Sequence, residues 1–202
     1  LDLSQTRSLD EALALIAAYA EEFPNRPWLV GRGWNEVTWG LGRLPTAADI
    51  DAVVPGRPIV MERADNHAVW ASSAALAAAG INAQTPDPAG GRIVRQGGNG
   101  PGSRAPAGVL VDNAVPLVMA RVPPPRASDA DLALWHAQNA FFAHGVTAVA
   151  DMGTSVEDWM TMRRAGDSGR LSLRIMAYAD SVQAMLLIGG TGPTPWLYED
   201  RL

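Results

Sequence analysis

The 202-residue chain has no cysteine, and all 16 of its basic residues are arginine, so it has no lysine either. Without cysteine there is no disulfide, no thiolate nucleophile and no thiolate metal ligand. Without lysine there is no amine for a Schiff base, no lysine general base and no carboxylated lysine to bridge metals. No apolar run reaches the ~18 residues a bilayer-spanning helix needs. The net charge is -5, with acidic and basic residues interspersed. A nucleic-acid binder would need a basic stripe to displace counterions, and none is present. The opening LDLSQTRSLDEA lacks an apolar h-region, so no secretory signal is expected and a cytoplasmic location is. The chain starts on Leu1 rather than methionine, which reads as a processed, trimmed or internal portion.

What is present is globular. A hydrophobic content of 48% against 18% charge is enough to build a core, and the length allows one domain with a small appendage. Ser8 and Glu11 form an S-x-x-E capping box, and Leu9, Leu13, Ile16, Ala17 and Ala20 recur at helical spacing. Trp28, Leu29 and Val30 form a short apolar run of strand length. Thr46 and Asp49 open a second helix, and residues 59–61 form a second strand that extends through Glu62, Arg63 and Ala64. A small-residue helix from Ser72 to Ala79 closes on Gly80.

From 85 to 107 the texture changes to Gly and Pro. Residues 91–95 and 108–111 look like two strands joined by a long Gly-rich loop, a hairpin with a flexible flap expected outside the main layers. No G-x-G-x-x-G opens a helix there, so a phosphate cradle is disfavoured. After Pro123, Pro124 and Pro125, Ser128 is expected to cap a long helix ending near His144. Strands follow at 146–150 and 171–178, with a helix capped by Ser155 between them and a short helix at 182–188 after them. Strands that alternate with helices imply βα units and a parallel sheet.

In such architectures ligands meet the carboxyl ends of strands. Three ends carry polar groups: Arg32 to Asn35, Asp65 to His67, and Asp151; Asp180 is a weaker fourth. Asp65 lies two residues from His67, close enough to orient the imidazole or share a substrate contact with it. The plainer reading keeps Asp65 as a loop cap and His67 as a donor to one backbone group. His136 reads as a surface residue, and His144 suits a helix C-terminus. No H-x-H, H-E-x-x-H or D-x-D-x-D-G spacing occurs, and neither does G-x-S-x-G. The chain by itself is thus expected to hold neither a metal nor a serine nucleophile.

Several blocks together resemble amidohydrolase family 3, a group of metal-dependent hydrolases. WLVGRGWNEVTW is similar to its G-x-GW stretch. PTAADIDAVVPGRPIVMERADNHAVWASSAALAAAGI follows its P-T-x-x-D-L-D, strand, D-G-H-x-x-W-x-N-S pattern. TPDPAGGRIVRQ with PAGVLVDNA resembles its T-P-D-P-x-G-G hairpin, and HGVTAVADMGTS its G-x-T-x-x-x-D-x-G strand. Asn66 stands where the family usually has Gly, and Ser72 where it usually has Asn.

The resemblance implies an α/β fold: a partial (β/α)8 barrel, about strands 2 to 4 with their helices, plus an inserted β-hairpin. Residues 1–84 and 123–202 would supply βα units and 85–122 the hairpin. The implied reaction is hydrolysis of an amide-type, non-peptide C–N bond by water activated on zinc or another divalent metal. The family's metal ligands fall before and after these residues, so the chain alone is expected to be inactive. Asp65, His67, Asp151 and Trp34 are left as candidate substrate-side residues for a small amide-type molecule. Self-association through exposed barrel edges is also expected. The alternative is a free-standing binding or assembly domain, or a catalytically dead relative.

Overall fold

The computed structural model describes residues 1–97 and 105–202, which form two compact units, Leu1–Pro123 and Pro124–Leu202. The expected Gly-rich flap falls mainly on 98–104, outside the described residues. Among the described residues no helix is long and apolar enough to cross a membrane.

The first unit runs α1 (Leu9–Glu22), β1 (Leu29–Trp34), α2 (Ala47–Val53), β2 (Ile59–Arg63), β3 (Ala68–Ala71), α3 (Ser73–Ala78), β4 (Gly91–Arg95), β5 (Pro106–Asp112) and α4 (Val115–Met119). Its strands form one sheet in the order β1-β2-β3-β5-β4. Side chains alternate across the strands, so β2, β3 and β5 each feed two cores. Ile59 and Met61 of β2, Trp70 of β3 and Val109 of β5 pack with Ile16 of α1 and Ile50 of α2. Val60, Val69 and Leu110 point the other way and pack with Leu76 of α3 and Val118 of α4. Covering both faces is what lets short, fully apolar strands be stable.

Two expectations are corrected here. Among the described strands of the first unit, β1–β2 is parallel, whereas β2–β3, β3–β5 and β5–β4 are antiparallel. The chain leaves β2 at Arg63 and returns as β3 at Ala68, too short a connection for a parallel crossover. The hairpin β4–β5 is also no appendage outside the layers. Ala68, Val69 and Trp70 pair with Val111, Leu110 and Val109, so β5 is an internal strand. Gly108 lets β5 pass close to the start of α2: its φ is +120°, and a Cβ there would lie 2.2 Å from the Ala47 backbone nitrogen.

Ser72 ties the elements together from a fully buried position. Its hydroxyl accepts from the Ile59 N–H at 3.0 Å and the Ala75 N–H at 3.2 Å, and donates to the Arg57 carbonyl at 2.8 Å. It thereby caps α3 and anchors the start of β2 at once.

The second unit contains α5 (Ala127–Ala143), β6 (Ala148–Thr154), α6 (Val156–Asp167), β7 (Arg174–Ala179) and α7 (Val182–Ile188). The N-cap of α5 is Arg126, which grips Asp129, rather than the expected Ser128. Strands β6 and β7 pair in parallel, with Asp151 opposite Ala177. Trp159, Met162, Leu171, Leu173 and Ile175 form the core. Buried Gln138 reaches from α5 to accept from the Ser172 and Leu173 N–H groups at 2.7 and 3.0 Å. The expected cap Ser155 opens α6, and Ser181, which the sequence reading did not single out, caps α7.

Candidate functional site

The polar groups of the first unit gather at the carboxyl ends of its parallel pair. β1 ends on Trp34 and β2 on Arg63, and these two residues face each other in the register. A cleft of about 280 Å³ lies there, lined by Asn35, Arg63, Ala64 and Asp65.

Arg63 organises this end. Its guanidinium donates through Nε and Nη2 to the two carboxylate oxygens of Glu36, at 3.0 and 2.7 Å, and through Nη1 to Asp65. It also lies over the Trp34 ring, 5.6 Å from the centroid. Trp34 itself is buried and donates to the Met61 carbonyl at 2.7 Å. The structure therefore places Trp34 as a floor beneath Arg63, closed off from solvent.

Asp65 opens the turn between β2 and β3. One carboxylate oxygen accepts the His67 N–H at 3.0 Å, and the other takes Arg63. The His67 amide, together with the nearby Arg63 guanidinium, holds the Asp65 carboxyl below the usual range. Asn66, at φ +62°, supplies the left-handed residue that lets the chain reverse. The loop-cap reading of Asp65 thus describes its local geometry. Yet its exposed carboxylate still borders the cleft.

His67 is held from a strand that sequence reasoning did not connect to it. Its ring Nδ1 lies 2.9 Å from Asp112 Oδ1, and its carbonyl accepts the Asp112 N–H at 2.8 Å. Glu36 and Asp112 are the residues the sequence reading missed. Glu36 carried no signal beyond its position just after a strand. Asp112 becomes visible only once β5 is known to pair with β3.

Asp151 belongs to the second unit. It lies within β6, half-buried, and accepts from the Thr154 hydroxyl at 2.6 Å. A larger cleft of about 960 Å³ runs along Ile175 to Val182 and the 191–196 segment of that unit, with exposed Asp180 on its lining. His136 is exposed beside Trp135, and His144 Nδ1 lies 2.8 Å from the Ala140 carbonyl at the end of α5.

A catalytic divalent metal needs three or more convergent His, Asp, Glu or Cys side chains. Among the described residues no such group is present. These residues do not fit a metal centre by themselves.

The chain belongs to the amidohydrolase family, whose model matches residues 1–201. Among its relatives is the protein YtcJ of Bacillus subtilis (strain 168), 39% identical over 147 residues, covering 73% of this chain and 27% of YtcJ. The protein LONG AFTER FAR-RED 3 of Arabidopsis thaliana is 32% identical over 182 residues, covering 88% of this chain and 29% of the plant protein. The chain therefore spans somewhat under a third of the length of these relatives. Its mixed α/β fold is similar to that of an uncharacterized metal-dependent hydrolase from Pyrococcus horikoshii OT3. The TM-score is 0.61 at 17% identity, over 88% of this chain and 32% of that one.

Proposed function

We propose that these residues form part of a longer metal-dependent amidohydrolase that hydrolyses an amide-type, non-peptide C–N bond in a small molecule. The observation that carries this reading is the family membership, which runs through residue 201. The polar side chains at the carboxyl ends of β1 and β2 agree with it, because that is where barrel enzymes build their sites. In this proposal 124–202, with its parallel β6–β7 pair, is a βα portion of a (β/α)8 barrel, and the mixed sheet of the first unit, hairpin included, is a separate layer of the same enzyme.

When bound, the divalent metal of such an enzyme activates water and polarises the carbonyl. Its ligands would lie outside these 202 residues. Asp65 and His67 would contact substrate, with Trp34 supporting Arg63 from below, and Asp151 would be a substrate-side residue of the second unit.

The test is amine release from a panel of N-acyl amines and ring amides by the longer, zinc-loaded protein. Turnover of at least one amide supports the reading, and silence across the panel with zinc bound counts against it. For the chain alone, elemental analysis after tag-free purification is expected to find no stoichiometric zinc. Tightly held zinc at one per chain would place the ligands here and contradict the proposal.

A further inference from the structure

His67 follows two residues after Asp65, which lines the cleft, and its backbone is fixed on both sides. Its N–H donates to Asp65 and its carbonyl accepts from Asp112. Its ring Nδ1 lies 2.9 Å from Asp112 Oδ1. A carboxylate only accepts, so the proton in this contact belongs to Nδ1. In the neutral imidazole the lone pair is then on Nε2. The side chain is 74% exposed, which leaves that nitrogen open to a ligand. Asp112 is itself in the left-handed region, at φ +50°. A non-glycine residue keeps that conformation only where its surroundings fix it.

We propose that Asp112 is a positioning residue that locks His67 as the Nδ1–H tautomer, so that Nε2 accepts a hydrogen bond from the N–H of a substrate amide. The inference rests on the amidohydrolase reading and narrows its substrate class to primary and secondary amides. A fully N-substituted amide has no N–H to offer, so the contact selects against it. No bond is made or broken at His67; its role is to bind and orient.

Two readouts test this. The first is the tautomer of His67 in the 202-residue chain, read from imidazole 15N and 13C shifts well above the ordinary histidine titration range. Asp112→Gly removes the carboxylate without straining a left-handed backbone. Asp112→Asn keeps an acceptor oxygen. Nδ1–H is expected in the wild type and in Asp112→Asn. Asp112→Gly should revert to the Nε2–H form that free histidine prefers. Nε2–H in the wild type overturns the proposal, as does Nδ1–H persisting in Asp112→Gly. The wild-type spectrum decides even if a variant fails to fold.

The second readout is kcat/KM of the longer, zinc-loaded protein on its best secondary amide and on the N-methylated counterpart of that amide. The wild type is expected to favour the N–H form by about tenfold, the size of one hydrogen bond. Asp112→Gly should bring the ratio near unity, and Asp112→Asn should largely preserve it. A wild-type ratio near unity overturns the substrate contact, as does a ratio unmoved in Asp112→Gly. If no amide is hydrolysed, the functional reading falls and takes the substrate contact with it, while the tautomer assignment stands.

Discussion

At the scale of single residues, the turn between β2 and β3 joins backbone conformation to charge. Asn66 occupies φ +62°, a region that Asn tolerates and Gly prefers, while a β-branched residue pays for it. Asn66→Gly is expected to be neutral or slightly stabilising in urea melts. Asn66→Val is expected to lose about 1–2 kcal/mol. Asp65 adds a pH dependence. Its folded pKa is depressed, so its stabilising contribution is fully present above the unfolded carboxylate value of about 4. That contribution disappears as pH falls through the lower, folded value. The urea midpoints of wild type and Asp65→Asn should therefore differ near neutrality and converge in acid. A gap that widens on acidification would contradict the assignment. The sequence showed Asp65 and His67 as a pair but not what holds them. Arg63, Glu36 and Asp112 come from three different strand ends, and only the strand pairing puts them together.

At the scale of elements, local signals read well where they are chemically sharp. The capping serines 8, 72 and 155 each begin a helix. They are legible because a hydroxyl on an orphan N–H is a local event. The four-residue β3 was not legible. It is an apolar run pressed between a turn and a helix, and its identity comes from partners on both sides. The same cause hid the place of β5, whose pairing with β3 spans a long stretch of chain. Gly108 marks where β5 meets α2. Gly108→Ala would push a Cβ against the Ala47 backbone at a φ unfavourable to L residues, and the unit should lose at least ~2 kcal/mol. Ser72→Ala would leave the buried Ile59 N–H and Arg57 carbonyl without their partner, at a cost of about 1–3 kcal/mol. Thermal denaturation followed by circular dichroism measures both.

At the scale of the whole molecule, the second unit carries a surface unusual for a chain that stands alone. Its two-stranded parallel sheet and flanking helices leave Met152 at 71%, Val182 at 69%, Leu187 at 68% and Leu186 at 51% exposure. Parallel sheets are normally covered on both faces, and apolar surface on this scale marks a contact not yet made. The isolated chain is therefore expected to self-associate, with an average mass in light scattering that rises with concentration. A monodisperse monomer across that range would contradict this. The βα alternation in the sequence suggested a parallel sheet, and that holds for β1–β2 and β6–β7. It does not hold for the rest of the first unit, where β2–β3, β3–β5 and β4–β5 pair antiparallel.

We propose that these residues are the substrate-side portion of an amidohydrolase whose metal ligands lie elsewhere in a longer protein. The most direct test is one assay of amine release from the same amide panel, run with zinc on both the longer protein and the 202-residue chain. Turnover is expected from the longer protein and none from the chain. Zinc-dependent turnover by the 202 residues alone would contradict it, as would a zinc-loaded longer protein that releases no amine.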